Sequence, residues 1–277
     1  MSRGFRLQLK FWGVRGSTPT PTQENLGYGG NTSCIEIRSG NGELLIIDGG
    51  TGIRNLGTSL TEEFPAQPLK LTLLLTHFHW DHIQGLPFFV PLYNPANEVT
   101  IYSFPSAQQI RERLHGLMTT PYFPVEFEGL AASIQLIHAG GEIIRSGDLC
   151  VRSFPLNHPQ GACGYRVESN GAVIVFASDL EHGHPELDNV LREHAAGADV
   201  LIYDAQYTPD EYVSRRGWGH STWLEATKVA KDAGVKKLIL FHHDPSHTDA
   251  AIEAKVTEAK RRFEHSCAAR EGMTVKL

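Results

Sequence analysis

The stretch "LLLTHFHWDHIQGLPFF", residues 73–89, decides how this sequence is interpreted. The aliphatic run that leads into it, residues 71–75, predicts a buried β-strand. Directly after this run come three histidines and an aspartate, namely His77, His79, Asp81 and His82. Because turns ordinarily use Gly, Pro, Asn and Asp rather than histidine, this pattern predicts a metal site at a strand end.

The composition is that of an ordinary globular protein with a sizeable core. The 277 residues are 41% hydrophobic and 20% charged, and the mean hydropathy is -0.23. No apolar run has the length of a membrane span, and the N-terminal residues lack the apolar core of a signal peptide. The cysteines lack CxxC spacing, which predicts buried free thiols and a cytoplasmic protein; they are Cys34, Cys150, Cys163 and Cys267.

The charge balance constrains the class of partner. A net charge of -6 and a pI near 6.1 argue against a protein that holds long nucleic acid on a basic face. A small anionic substrate remains compatible, because bound metal ions would supply local positive charge. The sequence therefore predicts neither a long nucleic acid nor a membrane as partner.

Strand-like and helical segments occur along the whole sequence. This mixture, without a break in composition, predicts one α/β domain that spans residues 1–277. Helices are predicted over residues 106–118, 186–195, 222–234 and 249–265. Strands are predicted over residues 6–12, 34–39, 43–48, 69–76, 149–156, 163–169, 172–178, 200–205, 236–242 and 273–277.

Six of the predicted strands end in an Asp or a His. In α/β folds the strand ends and their loops form the rim where ligands bind, and a core made only for packing does not need such residues there. Several of these side chains are therefore expected to converge; they are Asp48, His77, His158, Asp179, Asp204 and His242 with its neighbour His243.

Metal chemistry explains the residue types. Neutral imidazole and carboxylate are good ligands for a borderline divalent ion. In an extended segment His77 and His79 point the same way, Asp81 continues that phase, and His82 begins the next element. The candidates suffice for two ions if one carboxylate bridges; they are His77, His79, Asp81, His82, His158, Asp179 and His242.

These motifs resemble those of the metallo-β-lactamase superfamily. The sequence "THFHWDH" matches its H-x-H-x-D-H signature, and His158, Asp179 and His242 follow in the family's order. Upstream, Asp48 in "LLIIDGGTG" resembles the family's Asp-containing turn. The resemblance implies a four-layer αββα sandwich, an α/β fold with two mixed sheets flanked by helices and a dinuclear site at its rim.

The resemblance also implies roles for the site residues. Two divalent metal ions are expected, with zinc favoured and manganese or iron left open. The implied ligands are His77, His79 and His158 for the first ion, Asp81, His82 and His242 for the second, and Asp179 as the bridge. A hydroxide that also bridges the ions is the implied nucleophile. The predicted catalytic residues are Asp81, His220 and Asp204.

Within the superfamily, "GGNTSC" and "GHSTWLEATKVAKDAG" resemble the branch that contains ribonuclease Z and small cyclic phosphodiesterases. Thr222 and Glu225 predict a capping box, which places His220 just before a helix N-terminus, where the dipole disfavours imidazolium. In that branch the motif histidine, oriented by an acidic residue, gives a proton to the leaving alkoxide. Asp204 is the acidic candidate here.

The same branch helps to predict the substrate. Ribonuclease Z enzymes generally carry a basic Gly/Pro-rich arm for transfer RNA, whereas residues 83–157 contain no long basic Gly-rich insertion. A small phosphodiester such as a cyclic nucleotide is therefore predicted, and a homodimer is implied by the resemblance. Aromatic side chains that could stack on a base or close a pocket are Tyr122, Phe123, Phe127 and Trp218.

Two alternatives remain open at this point. The same site would serve an ester, lactone or lactam hydrolase, although the "GHST" histidine argues against it. A non-catalytic sensor module with two bound metal ions is the other alternative.

Overall fold

The computed structural model describes residues 4–277 and contains two seven-stranded sheets. The first sheet has the strand order β14-β1-β2-β3-β4-β5-β6. Its strands are β1 (Leu7–Gly13), β2 (Cys34–Ser39), β3 (Leu44–Ile47), β4 (Lys70–Leu74), β5 (Glu98–Ser103), β6 (Ser133–His138) and β14 (Thr274–Lys276). The strands β14, β1, β2 and β3 pair antiparallel, and β3 to β6 pair parallel.

The second sheet has the order β13-β12-β11-β10-β9-β8-β7. It comprises β7 (Ile144–Ser146), β8 (Leu149–Leu156), β9 (Ala162–Ser169), β10 (Ala172–Ala177), β11 (Val200–Asp204), β12 (Leu238–Phe241) and β13 (Ser266–Ala268). The strands β7 to β10 pair antiparallel and β10 to β13 parallel. Both sheets are thus mixed.

Seven α-helices lie within residues 4–277. They are α1 (Gly52–Glu63), α2 (Trp80–Ile83), α3 (Ala107–Leu117), α4 (Pro185–Ala195), α5 (Pro209–Ser214), α6 (Trp223–Asp232) and α7 (Asp249–Arg262). Apolar residues of α1 and α3 pack on the first sheet, and those of α4, α6 and α7 pack on the second. A third cluster, which includes Ile37, Tyr165 and Phe176, fills the space between the sheets. The predicted four-layer αββα sandwich is confirmed.

Most predicted elements are present with small shifts at their ends. The helix predicted over 106–118 is α3, whose N-cap Ser106 and Gln109 form a capping box. The sequence reasoning missed α1, α5, β5, β6, β7 and β13. In α1 the glycines weaken the helical signal, yet Gly57 is needed there because a Cβ would lie 2.8 Å from the Phe89 ring.

Two further features bear on the sequence predictions. All four cysteines are free; Cys34 and Cys163 are buried, and Cys150 and Cys267 are half-buried. Among the helices within residues 4–277, none combines the length and the apolar character required to cross a bilayer.

The rim at the ends of the central strands carries the residues that the sequence singled out. Strands β3, β4, β10, β11 and β12 run parallel to a neighbour, so their carboxyl ends meet at the same edge of each sheet. The packing of the two sheets brings these edges together, and the chain segments that follow them form the site.

Candidate metal centre

Two groups of potential ligands lie next to each other at this rim. The first group contains His77 and His79, between β4 and α2, and His158, after β8. The second contains Asp81 and His82 from α2, Asp179 after β10 and His242 after β12. Within each group the ligand atoms lie within 4.8 Å of one another. The structure therefore brings all seven predicted ligand residues together.

The local geometry corrects one step of the sequence reasoning. The two-residue spacing predicts that Asp81 continues the extended phase of His77 and His79, but Asp81 lies in the helical turn α2, with His79 as its N-cap. Because the chain becomes helical at Trp80, side chains two positions apart no longer point the same way there. Asp81 therefore joins His82 rather than the first two histidines.

Outer partners fix the orientation of the imidazole rings. His82 Nδ1 donates to Asp48 Oδ2 at 2.7 Å, and His242 Nδ1 donates to Gln206 Oε1 at 2.8 Å. His158 Nδ1 donates to the carbonyl of Gly219 at 2.9 Å. A ring that donates from Nδ1 keeps the lone pair of Nε2 for another partner, which is the arrangement found for metal-bound histidines.

Asp48 holds the second ligand group in position through hydrogen bonds. Its Oδ1 accepts hydrogen bonds from the backbone and the hydroxyl of Thr76, at 2.9 and 3.0 Å, and its Oδ2 accepts from Ser33. The same Thr76 hydroxyl lies 3.0 Å from His77 Nδ1. Asp48 thus orients His82 directly and His77 through Thr76.

Unpartnered polar atoms support a metal in this place. Within the described part of the chain, the Nε2 atoms of His77 and His82 are buried without a hydrogen-bond partner. A buried polar atom without a partner costs roughly 1–3 kcal/mol, a cost that a bound metal ion would remove at these two nitrogens. Both atoms belong to the two ligand groups, and the donor set of imidazole and carboxylate fits divalent metal ions.

Asp179 lies between the two groups. Its Oδ2 is 3.2 Å from His82 Nε2 and 3.3 Å from His242 Nε2, and its Oδ1 is 3.9 Å from His77 Nε2. One carboxylate thus presents a different oxygen to each group. This is the placement that a bridging ligand requires.

The protonation preferences of several ligands follow from burial and charge. Burial lowers the pKa of His77 and His158, so both rings are neutral at pH 7. Burial alone would raise the pKa of Asp179, but His242 and His82 hold it well below its usual value. The neutral imidazoles of His77 and His158 and the ionised carboxylate of Asp179 are thus in the states that bind metal ions.

His220 and Asp204 form a pair beside the ligand groups. The Nδ1 of His220 lies 2.9 Å from Asp204 Oδ2, and its ring stacks on His242 with centroids 4.9 Å apart. Burial lowers the pKa of His220, but Asp204, with Asp179 and Asp81, raises it to about 9. The ring is therefore protonated at neutral pH, whereas the helix dipole alone would have disfavoured imidazolium.

The helix after His220 is capped differently from the prediction. Thr222 caps α6 by accepting from the backbone of Glu225 at 3.1 Å, but the Glu225 carboxylate bonds to Lys228 at 2.8 Å instead of returning to Thr222. The cap is therefore half of the expected capping box. Among the groups that raise the pKa of His220 against the effect of burial, Asp204 contributes most.

Asp204 also lies within reach of a metal, in a third group with Asp179, His220 and His242. Its two oxygens are already engaged, however. Oδ1 accepts from the backbone of Gln206 and Ser221 at 3.1 Å, and Oδ2 accepts from the backbone of Asp179 at 3.1 Å as well as from His220. Asp204 therefore holds the loops of the rim in place by hydrogen bonds and is not assigned as a metal ligand.

Three residues of the centre have left-handed backbones. Asp48, Asp179 and His242 have φ values of 62°, 61° and 59°, and each follows closely after the end of a strand. Non-glycine residues rarely adopt this region, and its cost is commonly found at functional sites. The sharp turn lets each side chain leave the end of its strand toward the rim.

Sequence reasoning missed some residues that shape the centre. Gly16 is one, since a Cβ there would lie 2.3 Å from His242 Nδ1, and Gly219 is another, with a Cβ 2.5 Å from His158 Nδ1. Gly16 lies far from His242 in the sequence, so no local sequence pattern predicts that the two residues are in contact. Gln206 follows Asp204 by two positions, and extending the strand-end rule by two residues would have found it.

Comparison with known proteins identifies the family. The family model described as the beta-lactamase superfamily domain matches residues 45–243, a span that contains every residue of both ligand groups. The chain belongs to the β-lactamase superfamily. It is a hydrolase of the metallo-β-lactamase type, as its sequence motifs predicted, and its His and Asp cluster is suited to divalent metal ions.

Relatives across the superfamily match nearly the whole chain. Ribonuclease Z of Methanosarcina acetivorans is 25% identical over 98% of this chain and 98% of its own length. Two solved structures share the fold: a diphosphatase from the PhnP family, with 19% identity, TM-score 0.71 and 98% coverage of both chains, and Zn(2+)-bound PqqB from Methylobacterium extorquens. PqqB has 17% identity and TM-score 0.73, and the match covers 98% of this chain and 100% of PqqB.

Proposed function

We propose that this hydrolase is a phosphodiesterase that uses two divalent metal ions, with zinc as the first candidate, to cleave a small phosphodiester such as a cyclic nucleotide. The observation that carries the proposal is the His220–Asp204 pair at 2.9 Å beside the two ligand groups. Metal ligands alone would serve many hydrolases, whereas an added proton donor serves a poor alkoxide leaving group. The names of ribonuclease Z and of the PhnP-family diphosphatase agree with this reaction class.

The ligand assignment in this proposal follows the two groups. One ion would be held by His77, His79 and His158, the other by Asp81, His82 and His242, with Asp179 shared between them. When bound, a pair of divalent ions lowers the pKa of water and neutralises the charge that develops on phosphoryl oxygens.

The chain's own residues supply orientation and a proton. Asp81 is held by the backbone N–H of Ser17, 2.7 Å from its Oδ2, so this carboxylate faces the second ligand group in a fixed position. Asp204 keeps the proton of His220 on Nδ1 and stabilises the charged ring, so Nε2–H is left to meet the leaving oxygen. Because Asp204 is not one of the assigned ligands, its effect on His220 persists when the carboxylates of the ligand groups face cations.

Three further proposals concern the protein as a whole. We propose one domain for the whole chain, a homodimer, and a cytoplasmic location, for which the free cysteines are the support. A small diester is preferred to transfer RNA because the net charge is -6.

The experiment that tests this proposal measures metal content and hydrolysis together. Freshly purified protein is analysed by mass spectrometry for metals and assayed with bis(p-nitrophenyl) phosphate before and after chelation. We expect about two zinc or manganese ions per chain, turnover that chelation abolishes, and turnover that returns when metal is restored.

Other outcomes would point to the alternatives. Two metal ions with cleavage of esters or lactones but not of the phosphodiester would favour the acyl hydrolase. Bound iron with visible absorption and no hydrolysis would favour the sensor.

A further inference from the structure

Two cavities open on the metal centre from different sides. One, of about 680 Å³, is lined by His220, Arg215 and Trp218. The other, of about 1080 Å³, lies beside His77 and runs under α3. His79 lines both cavities, so both lie beside the first ligand group.

The larger cavity has a distinctive lining. Its walls include the aromatic side chains of Phe78, Trp80, Phe104 and Tyr122. Among the described residues that line it there is no carboxylate, and Arg113 is the one Lys or Arg. The Arg113 guanidinium lies 4.9 Å from the centre of the Phe78 ring, where a cation and a ring attract each other. The cavity thus favours an aromatic group that is neutral or negatively charged.

The exposure of two of these aromatic side chains supports a ligand. Tyr122 is 80% exposed and Trp80 is 77% exposed, and both line the cavity beside the site. Large apolar side chains that cluster at a concave surface commonly mark a place where a ligand covers them. Continuity with His77 and His79 makes the substrate itself the natural occupant.

We infer that the substrate is an unsymmetrical phosphodiester whose retained substituent carries an aromatic ring that occupies the larger cavity. The inference rests on the proposed function, in which His220 protonates the leaving oxygen. Because His220 lines the smaller cavity, the leaving alcohol must lie there, and the substituent that stays on phosphorus is directed to the other side.

The bond changes balance with water as the only co-reactant. A water oxygen forms a new bond to phosphorus, and the P–O bond to the leaving alcohol breaks with its electron pair on the alkoxide. His220 gives its proton to that alkoxide and is later re-protonated by the proton that water loses. The products are a phosphate monoester that bears the aromatic group and a free alcohol.

A pair of substrates with the same leaving group tests this inference. Both are p-nitrophenyl phosphodiesters, one with ethyl and one with 2-(2-naphthyl)ethyl as the second substituent. We expect kcat/KM for the naphthylethyl ester to exceed that for the ethyl ester by on the order of tenfold, because the naphthyl ring fills the apolar cavity and the ethyl group does not.

Two variants of the same helix show whether the larger cavity causes the preference. Gly116 lines this cavity, and no neighbouring atom lies within 4 Å of the position that a Cβ would take, so Gly116→Phe adds a side chain at an open site of α3. Gln108→Phe is the matched control, since Gln108 is exposed on the same helix but does not line the cavity. Gly116→Phe should reduce the preference to about onefold, and Gln108→Phe should keep it.

Each remaining outcome contradicts a defined part of the proposal. Hydrolysis of both esters with no preference, or a preference that survives Gly116→Phe, would overturn the inference and leave the phosphodiesterase proposal standing. A lower rate for the naphthylethyl ester would overturn it as well, because the nitrophenyl group would then occupy the larger cavity. Failure of metal-loaded protein to hydrolyse either ester would overturn the proposed function, and the inference with it.

Discussion

The Nδ1 of His220 lies 2.9 Å from Oδ2 of Asp204, and the same carboxylate oxygen accepts the backbone N–H of Asp179 at 3.1 Å. One anchor therefore fixes both the proposed proton donor and the residue placed between the two ligand groups. Asp204 thus connects the proposed acid to the metal centre by hydrogen bonds. Variants of the acid and variants of the metal centre should therefore separate proton donation from metal binding.

The first prediction concerns His220→Ala. This variant should retain its metal content but lose on the order of 10²–10⁴ in kcat for a diester with an alkyl leaving group, because an alkoxide needs the proton. With p-nitrophenolate as leaving group the loss should be much smaller, since this anion leaves without a proton. The measurement is kcat for both classes of substrate, with metals determined on the same samples.

His115→Ala is the control for this experiment, because His115 is exposed on α3 and lies outside the site. Equal losses for both classes of leaving group in His220→Ala would contradict the role of general acid.

The second prediction concerns Asp48→Asn. Asp48 holds His82 Nδ1 at 2.7 Å, and an amide is a weaker acceptor than a carboxylate. Asparagine tolerates the left-handed backbone at this position, so the variant should fold. Metal affinity, measured by competition with a chromophoric chelator, should fall by roughly 10–100-fold. Unchanged affinity would show that the orientation of His82 does not depend on this carboxylate.

The third prediction concerns Gly16→Ala. The added Cβ would lie 2.3 Å from His242 Nδ1 and 2.9 Å from Gln206 Oε1, so the hydrogen bond that orients His242 must shift. The variant should bind less metal in the second group while its far-ultraviolet circular dichroism remains that of the parent. Gly116→Ala is the control because its Cβ meets no neighbour. Full metal content in Gly16→Ala would argue against His242 as a ligand.

The fourth prediction concerns pH and the buried Lys255 of α7. Its Nζ donates to the carbonyls of Ala205 and Gln206 at 2.8 and 3.2 Å. Burial lowers the pKa of Lys255 to about 8, despite the raising effect of nearby carboxylates such as Asp244. The unfolded chain, with an ordinary lysine pKa, therefore binds more protons between about pH 8 and 10 than the folded chain does.

The contribution of Lys255 to the free energy of unfolding must therefore rise with pH between about pH 8 and 10. The free energy of unfolding of the metal-free parent, measured in urea, should increase relative to that of Lys255→Met by up to about 3 kcal/mol between pH 8 and 10. Taking the difference removes the contribution of the other titrating groups. A difference that stays constant, or that falls with rising pH, would contradict the lowered pKa.

Local sequence was sufficient to predict much of this protein. The run into His77, the alternating pattern of β1 and the caps of α3 are each encoded within a few neighbouring residues, so strands, helices and the strand-end histidines are visible in the sequence. The helix α1 was missed because its glycines, which allow close packing against Phe89, weaken the helical signal.

What only the tertiary structure decided are the relationships between distant segments. His77 and His158 meet across two sheets, Gly16 makes room for His242, and Asp204 reaches both His220 and Asp179. The shape of the larger cavity likewise depends on how α3 packs beside the rim. Residue types and strand ends follow from local periodicity, whereas close approach depends on the packing of the two sheets, which no short stretch of sequence specifies.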